Sequence, residues 1–259
     1  MAQKNLIIGG FTNYGINQLK PWVLSAKLVA EHNTDVVLVY GNTSQETLDW
    51  LEEQGVLLWP MVQQQGIPPH VMRFHSLYDF MSHKWEEYEH VVATDVKDVY
   101  FQVDPTNYVE YKCSGQGGFD LVVASEGLIY EDEPWGNENL FQAYGPYVYN
   151  LFKQNEIFNV GTFGGKSEYV KDMFFHIFTN AINRPIPICD QAVFNVLINT
   201  LPFKDNICYS VDWASELGTV MDPTKIEQFR PKLLFSEPIW QDGKLLIQPM
   251  GKKIGRAHV

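Results

Sequence analysis

Leu6 to Gly10 is an unbroken apolar run ending in two glycines, which predicts a buried strand entering a loop. Leu19, Trp22, Val23, Ala26, Val29 and Ala30 then recur at helical spacing, with Pro21 tolerated in the first turn. Asp35 to Tyr40 reads as a second strand buried on both faces, Thr43 to Gln54 as a helix stopped by Gly55, and Val56 to Trp59 as a third strand. Past a polar, Pro-containing loop ending at Pro69, the residues Phe74, Leu77, Tyr78, Met81 and Trp85 stripe another helix. Val91 to Asp95 is a strand that ends on an acid, and Asp120 to Ser125 a strand that opens onto the acidic segment Glu126 to Glu133. Leu140 to Gln154 is helical by period, and Ile157 to Phe163 is a strand closing on Gly164-Gly165. Tyr169 to Phe178 and Asp190 to Leu201 are further helices. Leu233 to Phe235 with Leu245 to Gln248, around Asp242-Gly243, read as a terminal hairpin. Strands alternating with helices over short connections predict a layered α/β fold in one domain, its back half more irregular and aromatic-rich.

Composition narrows the function. The chain has 259 residues, 45% hydrophobic, 14% aromatic and 19% charged, the balance of an ordered globular protein with a large core. A net charge of −12 disfavours binding to a nucleic-acid backbone, although one local basic pocket for a small phosphate stays open. No apolar run approaches the roughly 20 residues of a membrane helix, and the first residues lack a signal-peptide core. Cys113, Cys189 and Cys208 are odd in number and far apart, so neither a disulfide framework nor a cysteine zinc site is expected. A soluble, reduced, cytoplasmic protein is the expectation. The last six residues, Ile254 to Val259, fit no preceding pattern and match a reading frame of a common sequencing adapter. Residues 254–259 are therefore expected to be a non-native tail on a catalytic domain of residues 1–253, with the native C-terminus missing.

The strongest chemical signal is Thr94-Asp95-Val96-Lys97-Asp98, two carboxylates at the C-terminal end of a buried strand, where open α/β sheets bind ligands. A divalent ion carrying a diphosphate needs only one or two protein carboxylates, because phosphate and water complete its shell. Asp98 capping a turn, with Asp95 paired to Lys97 or Arg73, is the structural alternative. Arg73, expected at a helix start just before this strand, can reach a phosphate or nucleobase. Asn159 and Gly161, beside Gly164-Gly165, allow close backbone approach to a ligand or form a tight turn. Asp190, followed by Gln191, is a good helix N-cap by type.

Together, Arg73-Phe74, then Thr94-Asp95-x-Lys97-Asp98-x-Tyr-Phe101-Gln102-x-Asp104-Pro105, then Asn159-x-Gly161, then Asp190-Gln191 with Asn195 resemble small nucleotide-sugar-dependent glycosyltransferases of the GT-A fold. The likeness runs from Ile7 to about Asn195. It implies a Rossmann-type α/β/α sandwich around a mixed, mainly parallel sheet. It also implies a nucleoside-diphosphate sugar as donor, a glycan or small-molecule acceptor, and Mn²⁺ or Mg²⁺ as cofactor. By position, Gly10, Thr12 and Tyr14 in the first loop would border the nucleotide, and Arg73 would contact it or its phosphates. Asp95 would bind ribose or metal, Asp98 the metal, Asn159 and Gly161 the donor sugar, and Gln191 the sugar or acceptor. Asp190 is the first candidate for a catalytic base and Glu126 the second, with the Glu131-Asp132-Glu133 loop toward the acceptor or simply solvated. The usual Asp-x-Asp metal motif of the fold is absent, its second acid displaced to Asp98. A nucleotidyltransferase would need a basic, Gly-rich loop that Gly9 to Tyr14 lacks. A metal-dependent hydrolase would need a histidine cluster that His70, His75, His83 and His90 do not form. A non-catalytic nucleotide- or sugar-binding module is the rival from a different class.

Overall fold

In the computed structural model, residues 3–62, 66–97, 99–115 and 117–210 are described, together with the backbone of four short strands beyond them. The chain runs β1 (Lys4–Phe11), α1 (Ile16–Val29), β2 (Thr34–Tyr40), α2 (Gln45–Glu53), β3 (Leu57–Pro60), α3 (Pro69–Lys84) and β4 (Tyr88–Thr94). It continues through β5 (Tyr100–Phe101), α4 (Thr106–Ser114), β6 (Leu121–Ile129), α5 (Pro134–Phe152), β7 (Glu156–Lys166), α6 (Ser167–Ala181), α7 (Asp190–Ile198) and β8 (Ile207–Ser210). The later strands are β9 (Ala214–Ser215), β10 (Ile239–Gln241), β11 (Lys244–Leu246) and β12 (Ala257–His258).

Seven strands form one sheet in the order β3-β2-β1-β4-β7-β6-β8. The first four are mutually parallel, β7 is antiparallel to both β4 and β6, and β8 returns parallel to β6. The strands carry apolar residues on both faces because helices cover both. Leu6 and Ile8 of β1, Val37 and Val39 of β2, and Val91 and Ala93 of β4 pack toward α3, α6 and α7. Ile7 of β1 with Val36 and Leu38 of β2 pack toward α1 and α2, around Trp22 and Leu51. Val92 and Val122 meet Val109 and Cys113 of α4 on that second face. The result is a three-layer α/β/α sandwich on a mixed, mainly parallel sheet.

Several elements differ from the sequence expectation. Helix α3 starts at Pro69, not at Arg73, because Pro68-Pro69 supplies the first turn, so Arg73 sits in the second turn. Strand β7 runs through Gly164 and Gly165 instead of stopping there. A Cβ on Gly164 would stand 2.7 Å from the Val91 carbonyl and 2.8 Å from Val109, and one on Gly165 would meet the Asp120 carbonyl. Those two glycines serve close packing of β4, β6 and α4, at the end of the strand away from Asn159, and not a ligand. Of the expected terminal hairpin, Ile239–Gln241 pairs antiparallel with Lys244–Leu246, so the strand ahead of the expected turn is Ile239–Gln241; residues 233–235 and 242–243 lie outside the described residues. Within the segment expected to be a tail, Ala257–His258 pairs with Tyr100–Phe101 and with Ala214–Ser215.

Candidate active site

In the strand order, β1 has β2 on one side and β4 on the other, so the chain changes direction of travel across the sheet between β1 and β4. The carboxyl ends of these two strands form the crevice where open α/β sheets take ligands. Gly10 is the penultimate residue of β1 there; a Cβ on it would stand 2.9 Å from Val39 and in ordinary contact, 3.5 Å, with the Cβ of Arg73. Asp95 follows β4 directly, its backbone N–H donating to the Gly161 carbonyl at 2.7 Å. That bond locks β4 to β7 at the point where a ligand would sit.

Arg73 joins the two sides. One Nη donates to Asp95 Oδ1 and the other to Asp190 Oδ2 at 3.2 Å, so a residue of α3 bridges the end of β4 to the start of α7. Burial opposes the charge on this guanidinium, but the two carboxylates outweigh it and raise its pKa above the usual arginine range. Its Nε is buried with no hydrogen-bond partner among the described residues. Asp190 is buried at 6% exposure and does not cap α7 with its side chain, contrary to its N-cap reading; the capping position is Cys189. The Arg73 pairing explains why: a carboxylate bonded to a buried cation gains more than one bonded to a helix N–H.

Gly161 is the narrowest point. A Cβ there would clash with the Asp95 carboxylate and stand 2.9 Å from Asn159 Oδ1, so only glycine fits. Asn159 Oδ1 accepts from the Gly161 N–H at 2.6 Å, and its Nδ2 donates to Glu126 Oε1 at 3.1 Å. Gln191 mirrors it. Its Oε1 accepts from Val160 N at 2.8 Å while its Nε2 donates to the same Glu126 oxygen. One turn on, Asn195 accepts from Phe158 N and donates to Phe158 O, both at 2.8 Å, which seats α7 against β7.

The structure thus brings Gly10, Arg73, Asp95, Glu126, Asn159, Gly161, Asp190 and Gln191 to one edge of the sheet. Thr12 and Tyr14 lie in the β1–α1 loop, tied sideways to the loop after β2 through Asn42 and Thr43. Asp98 lies outside the described residues. The acidic loop is committed to the fold: Glu131 bonds Lys153 and Gln154, and Glu133 caps α5 at the Trp135 and Gly136 N–H groups. Among the described residues no group of three or more His, Cys, Asp or Glu forms a metal cage. A cation carried by a diphosphate asks for less than such a cage; the Asp95 side chain is 32% exposed, its Oδ1 serving Arg73 and its Oδ2 lying beside Gly161.

Sequence reasoning missed Asp104. Expected only as part of a motif string, it is 4% exposed and accepts from Glu31 N, Thr34 Oγ1, Thr106 N and Thr106 Oγ1. Val96 is likewise structural, packed over Gly9 in the core.

The fold is that of a solved glycosyltransferase. The chain superposes on the apo structure of the bifunctional glycosyltransferase WbbM with a TM-score of 0.60 at 12% identity, covering 90% of this chain. It spans 45% of the WbbM chain, less than half its length. At that identity the likeness shows the fold alone. No protein-family model and no curated protein sequence matches the chain. No helix among the described residues is long and apolar enough to cross a membrane.

Proposed function

We propose that this chain transfers a glycosyl group from a nucleoside-diphosphate sugar to a hydroxyl of a glycan or small molecule. The observation that carries the reading is the Asp95–Arg73–Asp190 bridge at the carboxyl ends of β1 and β4, beside Gly10 of β1 and Gly161 of β7, where a Cβ would stand 2.9 Å from Val39 and would clash with the Asp95 carboxylate, respectively. Gly161 lets the Asp95 carboxylate lie against β7 and Gly10 lets Val39 pack close beside Arg73, the largely buried cation at the edge of the site. The shared fold with WbbM supports the same class of chemistry.

In this reading the nucleotide lies across Gly10 and the first loop, with its diphosphate near Arg73 and Asp95. The sugar rests over the Asn159–Gly161 backbone. Asp95, Asp190 and Glu126 outnumber the single guanidinium, so a diphosphate anion needs a cation beside it. A divalent Mn²⁺ or Mg²⁺ held by Asp95, with Asp98, would supply that positive charge as the leaving group departs. Arg73 stabilises the same developing charge from the protein side. Asp190 holds Arg73 in place from the α7 side.

The test is chromatographic release of nucleoside diphosphate from a panel of nucleotide sugars in the presence of Mn²⁺. Release above background by the wild-type chain, lost at least 100-fold in Asp95→Ala, is the expected result. A folded wild-type chain that binds a donor yet releases nothing would instead identify a non-catalytic binding module.

A further inference from the structure

Resting on that reading, we propose that His70 is a positioning residue of the donor site. It holds the chain at the start of α7, so that Asp190 keeps Arg73 turned toward the diphosphate.

Two side chains of α3 reach the segment that enters α7, and they do so in one register. Arg73 donates to Asp190, and His70 Nε2 meets the Pro187 carbonyl, each pair 117 positions apart. His70 and Arg73 stand three residues apart in the first two turns of α3, on one face of the helix and about 4.5 Å apart along its axis. Pro187 and Asp190 are three apart as well, so the two contacts are neighbouring rungs between the same two segments. The His70 rung is the shorter, 2.6 Å against 3.2 Å. A carbonyl oxygen can only accept, so Nε2 of His70 carries the proton and donates.

The residues after Pro187 are held from the other side. Asn139 of α5 donates its Nδ2 to the Ile188 carbonyl, and the Cys189 thiol donates to the Ala181 carbonyl at 3.6 Å. Those two ties are buried, Asn139 at 8% exposure and Cys189 at 1%, whereas Pro187 is exposed and the His70 bond lies at the surface. Ile188 is itself 46% exposed, and Pro187 has no N–H with which to make a second bond. Packing therefore does little to hold this stretch on the α3 side, and His70 does it instead.

Asp190 follows three residues after that anchor, and its carboxylate holds one Nη of Arg73 while Asp95 holds the other. When the His70 rung is lost, the start of α7 relaxes away from α3 and the Asp190 bond lengthens. Arg73 is then drawn onto Asp95 and away from the diphosphate. The fold survives, because one hydrogen bond at the surface is remade with water. Donor binding falls and stability does not.

The experiment is calorimetric titration with a panel of nucleoside diphosphates and Mn²⁺, run beside urea unfolding of the same variants. In His70→Ala, binding of the diphosphate that wild type takes weakens about fivefold or more, within the range of couplings between contacting residues, and the urea midpoint stays in place. His70→Gln, which carries an amide nitrogen where Nε2 stood, recovers most of the affinity. In an Asp190→Asn background, His70→Ala has no further effect, because it acts through that carboxylate. Wild-type affinity in His70→Ala, no recovery in His70→Gln, or losses that simply add in the double variant overturn the inference and leave the donor site standing. A fall in the urea midpoint that accounts for the lost binding makes His70 structural alone, and overturns it too. A folded wild-type chain that binds no nucleoside diphosphate overturns both.

Discussion

At Arg73 a single side chain holds two carboxylates that would otherwise be left without a buried counter-charge. The two ends of the bridge are unequal: the Asp190 side chain is 8% exposed and that of Asp95 32%. Removing the guanidinium therefore costs most through Asp190, which cannot recover its hydration in place. Arg73→Ala is expected to destabilise the protein by about 3 kcal/mol, in line with breaking a buried pair from one side. Asp95→Ala should cost clearly less, since Arg73 keeps Asp190. Urea unfolding of both variants measures the difference, and equal losses would show that the bridge is not organised around Asp190. Lysine at position 73 should not restore the site, because one ammonium cannot span two carboxylates as the planar fork does.

At the scale of elements, Asp104 ties three segments together. Its four hydrogen bonds join the α1–β2 loop and the first residue of β2 to the first turn of α4, at the end of the sheet opposite Asp95. Asp104→Ala should lower stability on the order of 3 kcal/mol while leaving donor chemistry intact in the folded fraction. A chemical-denaturation curve superimposable on wild type would contradict it. This residue also shows where sequence reading stops. The buried strands were legible because β1, β2 and β4 are continuous in apolar character, and α1, α3 and α6 because their stripes are long. Helix α4 was not, since it buries only Thr106, Val109 and Cys113. β8 is four residues of mixed type and carries no period to read. The site residues could be named one by one from motif order, but their partners could not. Arg73 meets Asp190 across 117 positions, and Glu126 meets Gln191 across 65. Only the crossing of β7 between β4 and β6 brings them together. The same distance hid the distinction between Gly161, which faces the site, and Gly164 and Gly165, which face the core.

Over the whole molecule, acid stability depends on a group far from that edge. His90 in β4 is 2% exposed, between Asn5 and Ser114. Burial lowers its pKa from the ordinary 6.5 against the opposing pull of Glu89 and Glu110, with Lys166 adding to the lowering. The fold thus favours neutral imidazole, while the unfolded chain protonates it near pH 6.5. Its stabilising contribution is complete above that pH and is lost as pH falls toward the lower folded value. Thermal unfolding of wild type should drop between pH 7 and pH 5 more steeply than that of His90→Gln. Parallel profiles would contradict this assignment.

The donor site itself is tested most directly by calorimetric titration of the whole chain with a panel of nucleoside diphosphates, with and without Mn²⁺. The account predicts saturable binding of at least one of them that requires the ion and weakens tenfold or more in Gly161→Ala, where a methyl group would displace the Asp95 carboxylate. No binding by the folded protein, or binding that Gly161→Ala leaves unchanged, would contradict a nucleotide-sugar site at this edge of the sheet.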